Sequence, residues 1–226
     1  MSEGTFDNPE IVEMATDILI IGGGMAACGA AFEARRWAGD DVKITLVDKA
    51  AVDRSGAVAQ GLSAINTYLG ENSPEDYCRM VSADLMGITR DDLVFDVGRH
   101  VDGTVHLFEE WGLPVWKDKE TEGVPLSEGG KPVRSGKWQI MINGEGYKTI
   151  VAEAAKKALG IDNILERVFI VKLLLDANED NRIAGAVGLS VRENKIYVIR
   201  ANAVLVACGG AVNVFRPRST GEGMGR

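Results

Sequence analysis

Three glycines, Gly22, Gly23 and Gly24, follow directly on the apolar run Asp17-Ile-Leu-Ile-Ile21 and lead into the small residues Met25-Ala-Ala-Cys-Gly-Ala-Ala31. A strand that passes through a glycine turn into a helix offers backbone N–H groups and the positive end of the helix dipole to a phosphate. Gly22 permits the tight turn and Gly24 lets the backbone approach a pyrophosphate. Ala27, where a third glycine often sits, lets the helix lie close on the strand. Val42-Lys-Ile-Thr-Leu-Val47 reads as a second buried strand, and it ends on Asp48. A carboxylate at that tip is placed to accept the hydrogen bonds of an adenosine ribose. The competing reading is a glycine turn in some other α/β protein. Strand, turn, helix, strand and acid in this order favour a dinucleotide fingerprint.

The elements around this motif are legible in outline. Residues 1–16 are polar and read as a leader, and residues 17–49 form the β-α-β unit. Residues 50–70 form a loop rich in Gly, Ala and Ser. Helical patterns cover Pro74 to about Met86 and Asp91 to about Trp111, each with acids in its first turn. Residues 116–136 read as a surface loop or loose hairpin. A helix follows over Tyr147–Leu159, stopped by Gly160. Strands are expected over 168–175, 184–191, 195–200 and 203–208, with turns that suggest an antiparallel meander. Ordinary nicotinamide-binding domains continue with regular β-α alternation, so this insert favours a flavoprotein.

Composition narrows the function. The chain has 226 residues and a net charge of −8, with Lys and Arg scattered, which argues against a nucleic-acid binder. Cys28, Cys78 and Cys208 are far apart and form no Cys-x-x-Cys pair, so no cluster or zinc framework is expected. They suit a reducing compartment. Met1 to Ala15 carries four acids and no apolar stretch of secretory type, and Ile18–Ile21 is too short to span a bilayer. The expected location is cytoplasmic. His100 and His106 stand six apart, a spacing that favours structural over metal-binding roles. No metal site is expected. Trp111, Trp116, Trp138 and Met141 read as packing residues.

From Asp48 onward the residues resemble one family closely. Asp48-Lys-Ala-Ala-Val-Asp-Arg-Ser-Gly-Ala-Val-Ala-Gln-Gly-Leu-Ser-Ala-Ile-Asn-Thr-Tyr68, His100-Val-Asp-Gly-Thr-Val-His-Leu-Phe108, Trp138-Gln-Ile-Met-Ile142 and Phe215-Arg-Pro-Arg-Ser-Thr-Gly221 carry the likeness. It is to the flavoprotein subunits of succinate dehydrogenase and fumarate reductase, and within that group most of all to the alpha subunits of dissimilatory adenylylsulfate reductases. The resemblance implies an α/β fold: a Rossmann-like FAD-binding domain over 17–226 with an antiparallel β-meander insert, incomplete at the C-terminus. The C-terminal stretch Arg216–Arg226 is a glycine-rich loop with no closing element, so the chain is expected to be an N-terminal fragment, inactive alone, of a longer polypeptide.

The resemblance also implies roles. Lys49, Ser55, Gly56, Gln60, Gly61, Val168, Cys208, Gly209 and Gly210 join Gly22, Gly24, Ala27 and Asp48 as FAD-binding residues. Covalent members carry a histidine in the Arg-Ser-His-Thr stretch, whereas Gly56 follows Arg54-Ser55 here, which implies noncovalent FAD. Cys208 stands where the family has Thr, and a small core residue is the favoured reading of its thiol. Asn66 matches the family's contact to flavin N5, where sulfite adds, and is the candidate catalytic residue. The alternative on residue type alone is a turn-stabilising Asn. Arg54, Arg216 and Arg218 are candidate substrate contacts, since a guanidinium grips phosphate or sulfonate oxygens in bidentate fashion. Solvent-facing arginines are the commoner alternative. The implied chemistry interconverts adenylylsulfate with sulfite and AMP, and the implied partner is an iron–sulfur beta subunit that holds all the clusters. Two alternatives remain: a fumarate reductase-like oxidoreductase with noncovalent FAD, and a flavin-binding module with no redox turnover.

Overall fold

The structure, a computed structural model, describes residues 8–61, 64–68, 72–113, 139–141 and 146–211. Along the chain run β1 (Glu10–Ile21), α1 (Met25–Ala38), β2 (Ile44–Asp48), β3 (Ala64–Asn66), α2 (Pro74–Asp84), α3 (Asp91–Gly98), α4 (Val101–Glu110), β4 (Gln139–Met141), α5 (Tyr147–Leu159), β5 (Ile164–Glu166), β6 (Val168–Leu175), β7 (Ile183–Ser190) and β8 (Lys195–Val206). The chain forms two compact units, Met1–Gly61 with Lys148–Arg226 and Leu62–Tyr147.

The first unit is built on one six-stranded sheet in the order β5-β2-β1-β8-β7-β6. The pairs β5–β2, β2–β1 and β1–β8 are parallel, and β8–β7 and β7–β6 are antiparallel. The expected meander is present, and it shares the main sheet through β8. Every residue of β2 is buried, as is the end of β1 from Leu19 to Ile21, because strands in the parallel half are covered on both faces. On one face Leu19, Ile21, Val47, Val168, Ala186, Ile199 and Ala201 form a core cluster. Helices α1 and α5 are tied together by Arg35 Nε, which donates to the Ala158 carbonyl at 3.2 Å. They bury Ala27, Cys28, Ala31, Val151, Ala152 and Ala155.

Two boundaries differ from expectation. Strand β1 begins at Glu10, so Glu10–Thr16 of the expected leader is strand. Exposure alternates there, with Ile11, Glu13 and Ala15 outward and Val12, Met14 and Thr16 less exposed, and the strand pairs along β8 from Glu10↔Lys195. For the same reason the two short strands expected over 195–208 are one: β1 supplies a parallel partner all the way to Ile21↔Val206. Cys208 lies just beyond its end.

The second unit holds α2, α3, α4 and the two-stranded antiparallel pair β3–β4. Helix α2 starts on a capping box, Ser73 with Asp76, and Pro74 takes the first helical position. The single helix expected over Asp91–Trp111 is two helices separated by Arg99 and His100. Gly98 ends the first of them, and its bare Cα lets α3 approach Tyr77 of α2; a Cβ there would lie 3.1 Å from the Tyr77 ring. His106 engages acids of its own helix, Asp102 at 3.6 Å and Glu109 at 3.0 Å. Trp111 stacks at a tilt on Phe108, with centroids 5.6 Å apart. Trp116, Trp138 and the loop expected over 116–136 lie outside the described residues. Among the described residues no helix is long and apolar enough to cross a membrane.

Candidate functional site

Three strand ends meet at the glycine turn. The Gly22 N–H donates to the Val47 carbonyl at 2.8 Å, and the Ala207 N–H donates to the Ile21 carbonyl at 2.8 Å. Gly22 adopts φ +116°, and a Cβ on it would lie 2.3 Å from the Ala207 carbonyl oxygen. Gly22 is therefore required by conformation and by packing at once. Gly24, in contrast, is extended, with φ −73° and ψ −175°, and a Cβ there would meet nothing closer than Gly56 Cα at 3.6 Å. The protein's own packing does not demand a glycine at 24. Its missing side chain leaves the entrance of α1 open to a ligand.

Helix α1 begins directly after this turn. No side chain caps it and no acid occupies its first turn, although both are the usual ways to satisfy a helix N-terminus. An anion is the remaining complement. Ala27 is fully buried, as close packing of helix on strand requires. Asp48 is only 5% exposed, and its Oδ2 accepts the Ala50 N–H at 3.1 Å. Glu166, in register with Asp48 across β5, accepts the Val52 N–H at 2.7 Å and fixes the start of the following loop.

That loop returns to the turn. Two 3-10 turns, Val52–Arg54 and Ala57–Gln60, flank buried Ser55 and bring Gly56 against Gly24. A Cβ on Gly56, whose φ is +85°, would lie 2.7 Å from Gly24 Cα. Lys49 is exposed and holds its ammonium 5.8 Å from the centre of the Phe169 ring. Val168, beside it, is buried in the core cluster. The exposed Cys208 places its thiol 3.6 Å from the Ile21 carbonyl, to which it donates. Desolvation, then the Asp48 carboxylate, raises that thiol above its ordinary value, with Lys49 opposing. Gly209 and Gly210 follow it at the surface.

Gly22, Gly24, Asp48, Gly56 and Cys208 thus gather around the ends of β1, β2 and β8. Gln60 and Gly61 are exposed at the far end of the second 3-10 turn, and Arg54 is exposed on the first. Asn66 belongs to the second unit, exposed at the end of β3 and paired through the backbone with Gln139 of β4. Arg216 and Arg218 lie outside the described residues.

Two contributors escape the fingerprint. Gly23 carries no assigned role in the motif, yet a Cβ there would fall 2.7 Å from Asp48 Cγ. The middle glycine is what lets the acid stand over the turn. Lys148, the second residue of α5, is 3% exposed, and its ammonium donates to Cys28 Sγ at 3.3 Å. Burial pushes the Cys28 thiol up, opposed by the Lys148 charge. The run Lys148-Thr-Ile-Val-Ala152 shows no sign of this, since a lysine near a helix start ordinarily faces solvent.

Comparison with known proteins agrees with this geometry. A profile of the FAD binding domain matches residues 17–223. The chain is 65% identical over 232 residues to the adenylylsulfate reductase alpha subunit of Megalodesulfovibrio gigas, covering 96% of this chain and 35% of that protein. It is 30% identical to the fumarate reductase flavoprotein subunit of Proteus vulgaris, with 92% and 35% covered. Among solved structures, an adenosine-5-phosphosulfate reductase in complex with sulfite as a covalent adduct superposes with a TM-score of 0.82 at 59% identity, covering 96% of this chain and 34% of that one. The chain spans about a third of the length of these relatives. With an open glycine turn at the meeting of three strands, and a family match over nearly its whole length, the chain belongs to the FAD-binding domain family.

Proposed function

We propose that this chain is the FAD-cradling part of an adenylylsulfate reductase alpha subunit. The observation that carries the reading is the 65% identity maintained over 96% of the chain, against 30% for a fumarate reductase flavoprotein subunit. The cradle fits the cofactor on its own evidence, since Gly24 and the uncapped start of α1 leave room and charge for a pyrophosphate. The Gly22–Ala27 turn would hold the pyrophosphate, with Asp48 on the adenosine ribose. Lys49, Ser55, Gly56, Gln60, Gly61, Val168, Cys208, Gly209 and Gly210 complete the proposed cradle. Gly56 has no side chain to bond to a flavin, which supports noncovalent FAD.

Bound FAD would supply the two-electron chemistry, with sulfite adding at flavin N5 and adenylylsulfate interconverting with sulfite and AMP. The protein's part is to orient and to place charge. Asn66 is proposed to hydrogen-bond N5, and Arg54, Arg216 and Arg218 to contact the substrate anions. The sulfite adduct in the similar solved enzyme supports that chemistry for this chain. We assign the iron–sulfur clusters to a beta subunit, since the three cysteines of this chain are dispersed, and the location to the cytoplasm.

The test is to add sulfite to the purified flavoprotein with and without AMP. Bleaching of the oxidised flavin, altered by AMP, is expected. Turnover of succinate or fumarate with no response to sulfite would overturn the assignment in favour of the dicarboxylate enzymes.

A further inference from the structure

We propose that Lys148 is a positioning residue for the bound dinucleotide, its buried ammonium providing positive charge beneath the glycine turn that the FAD pyrophosphate neutralises. The proposal rests on FAD occupying the cradle described above. Lys148 is 97% removed from solvent, and among the described residues its one hydrogen-bond partner is the Cys28 thiol. A thiol is a weak acceptor and carries no charge when protonated, and burial of Cys28 favours that form. A buried ammonium left with such a partner is costly unless an anion balances it.

The nearby carboxylates are already engaged. Asp53 is bound by Lys156 at 2.7 Å, and Asp48 accepts the Ala50 N–H. The Cys28 thiol that touches Lys148 also donates to the carbonyl of Gly23, at 3.6 Å, so the ammonium stands one thiol away from the turn. That turn leads into a helix with no acid in its first turn and no side-chain cap. Two sources of positive potential, the start of α1 and the ammonium, therefore converge at the turn, where Asp48 and Asp53 are the carboxylates that act on Cys28, Asp53 already paired with Lys156. In this water-excluded position the charge acts on the pyrophosphate at short range with little screening.

The experiment measures FAD affinity of the deflavinated protein by flavin fluorescence, together with the thermal midpoint of the apo form, for wild type and Lys148→Met. The variant is expected to bind FAD at least about tenfold more weakly, with an apo midpoint equal to or above wild type, because an uncompensated cation has been removed. Lys148→Gln, which keeps a polar head without charge, is expected to do the same and serves if the methionine variant does not fold. Weakening below tenfold would overturn the proposal, as would an apo midpoint that falls in step with affinity, which marks a merely structural lysine. Wild-type protein that binds no FAD would instead overturn the cofactor reading itself.

Discussion

Gly56 and Gly24, distant in sequence, meet backbone to backbone: a Cβ on Gly56 would lie 2.7 Å from Gly24 Cα, with φ +85° at Gly56 adding conformational strain. The contact joins the loop after β2 to the start of α1, the two backbones proposed to flank the cofactor. Neither side has a flexible side-chain end that could yield.

Gly56→Ala should therefore separate the two segments and lower FAD retention by about tenfold or more. The ratio of flavin to protein absorbance after gel filtration is the measurement. Retention equal to wild type would show that the approach of the two backbones is not needed for binding.

Gly22→Ala should act on the fold as well as on binding. The added methyl meets the Ala207 carbonyl at 2.3 Å, in a conformation at φ +116° that an L-residue rarely adopts. A loss of about 3 kcal/mol is expected, from strain plus displacement of the end of β8. Urea denaturation of the apo-protein reads it. Gly24→Ala, where the same atom finds ordinary contact at 3.6 Å, should leave apo stability nearly unchanged while weakening FAD.

Asn66→Ala tests the proposed contact to the flavin. FAD content should stay near wild type, because Asn66 is not among the residues proposed to hold the pyrophosphate. The sulfite concentration needed for half-bleaching should rise about tenfold, the worth of one hydrogen bond to a charged or polarised group. An unchanged sulfite titration would remove Asn66 from the site.

The capping box on α2 gives a pH dependence with a definite sign. The Asp76 carboxyl is lowered from its ordinary 3.8, first by the backbone N–H of Ser73, which donates at 2.9 Å, then by the Ser73 hydroxyl and by Arg79. A depressed folded value contributes stability that is present above 3.8 and is lost as pH falls through the folded value. Asp76→Asn should thus lower the urea midpoint at neutral pH. The difference from wild type should shrink as the solution is acidified below 3.8, and a difference independent of pH would exclude the carboxylate as its cause.

How much of the site is legible in sequence depends on the range of the interaction that makes it. The turn Gly22–Gly24, the strand ending on Asp48 and the helix Tyr147–Leu159 announce themselves because their signals are local: apolar runs, a glycine cluster, a glycine stop. The long reach of β1 down to Glu10 is hidden, because its half-exposed first part mixes Glu10, Glu13 and Thr16 among apolar residues and shows no continuous apolar run until its partner β8 is known. The break between α3 and α4 falls at Arg99 and His100, next to Gly98, which packs on Tyr77 of α2, a contact that periodicity along one segment does not encode.

Local residue types already specify a strand–turn–helix able to receive a phosphate, with an acid at the tip of the next strand. They also specify, through Gly56, that no side chain is available there to bond a flavin. Why each glycine is there emerges from packing between distant segments. Gly22 yields to the Ala207 carbonyl, Gly23 to the Asp48 carboxylate and Gly56 to Gly24, while Gly24 itself stays open. That packing alone placed Lys148 under the turn against Cys28. Local sequence fixes which conformations a segment prefers, whereas close approach and burial of charge arise between segments far apart in the chain, and only packing brings those together.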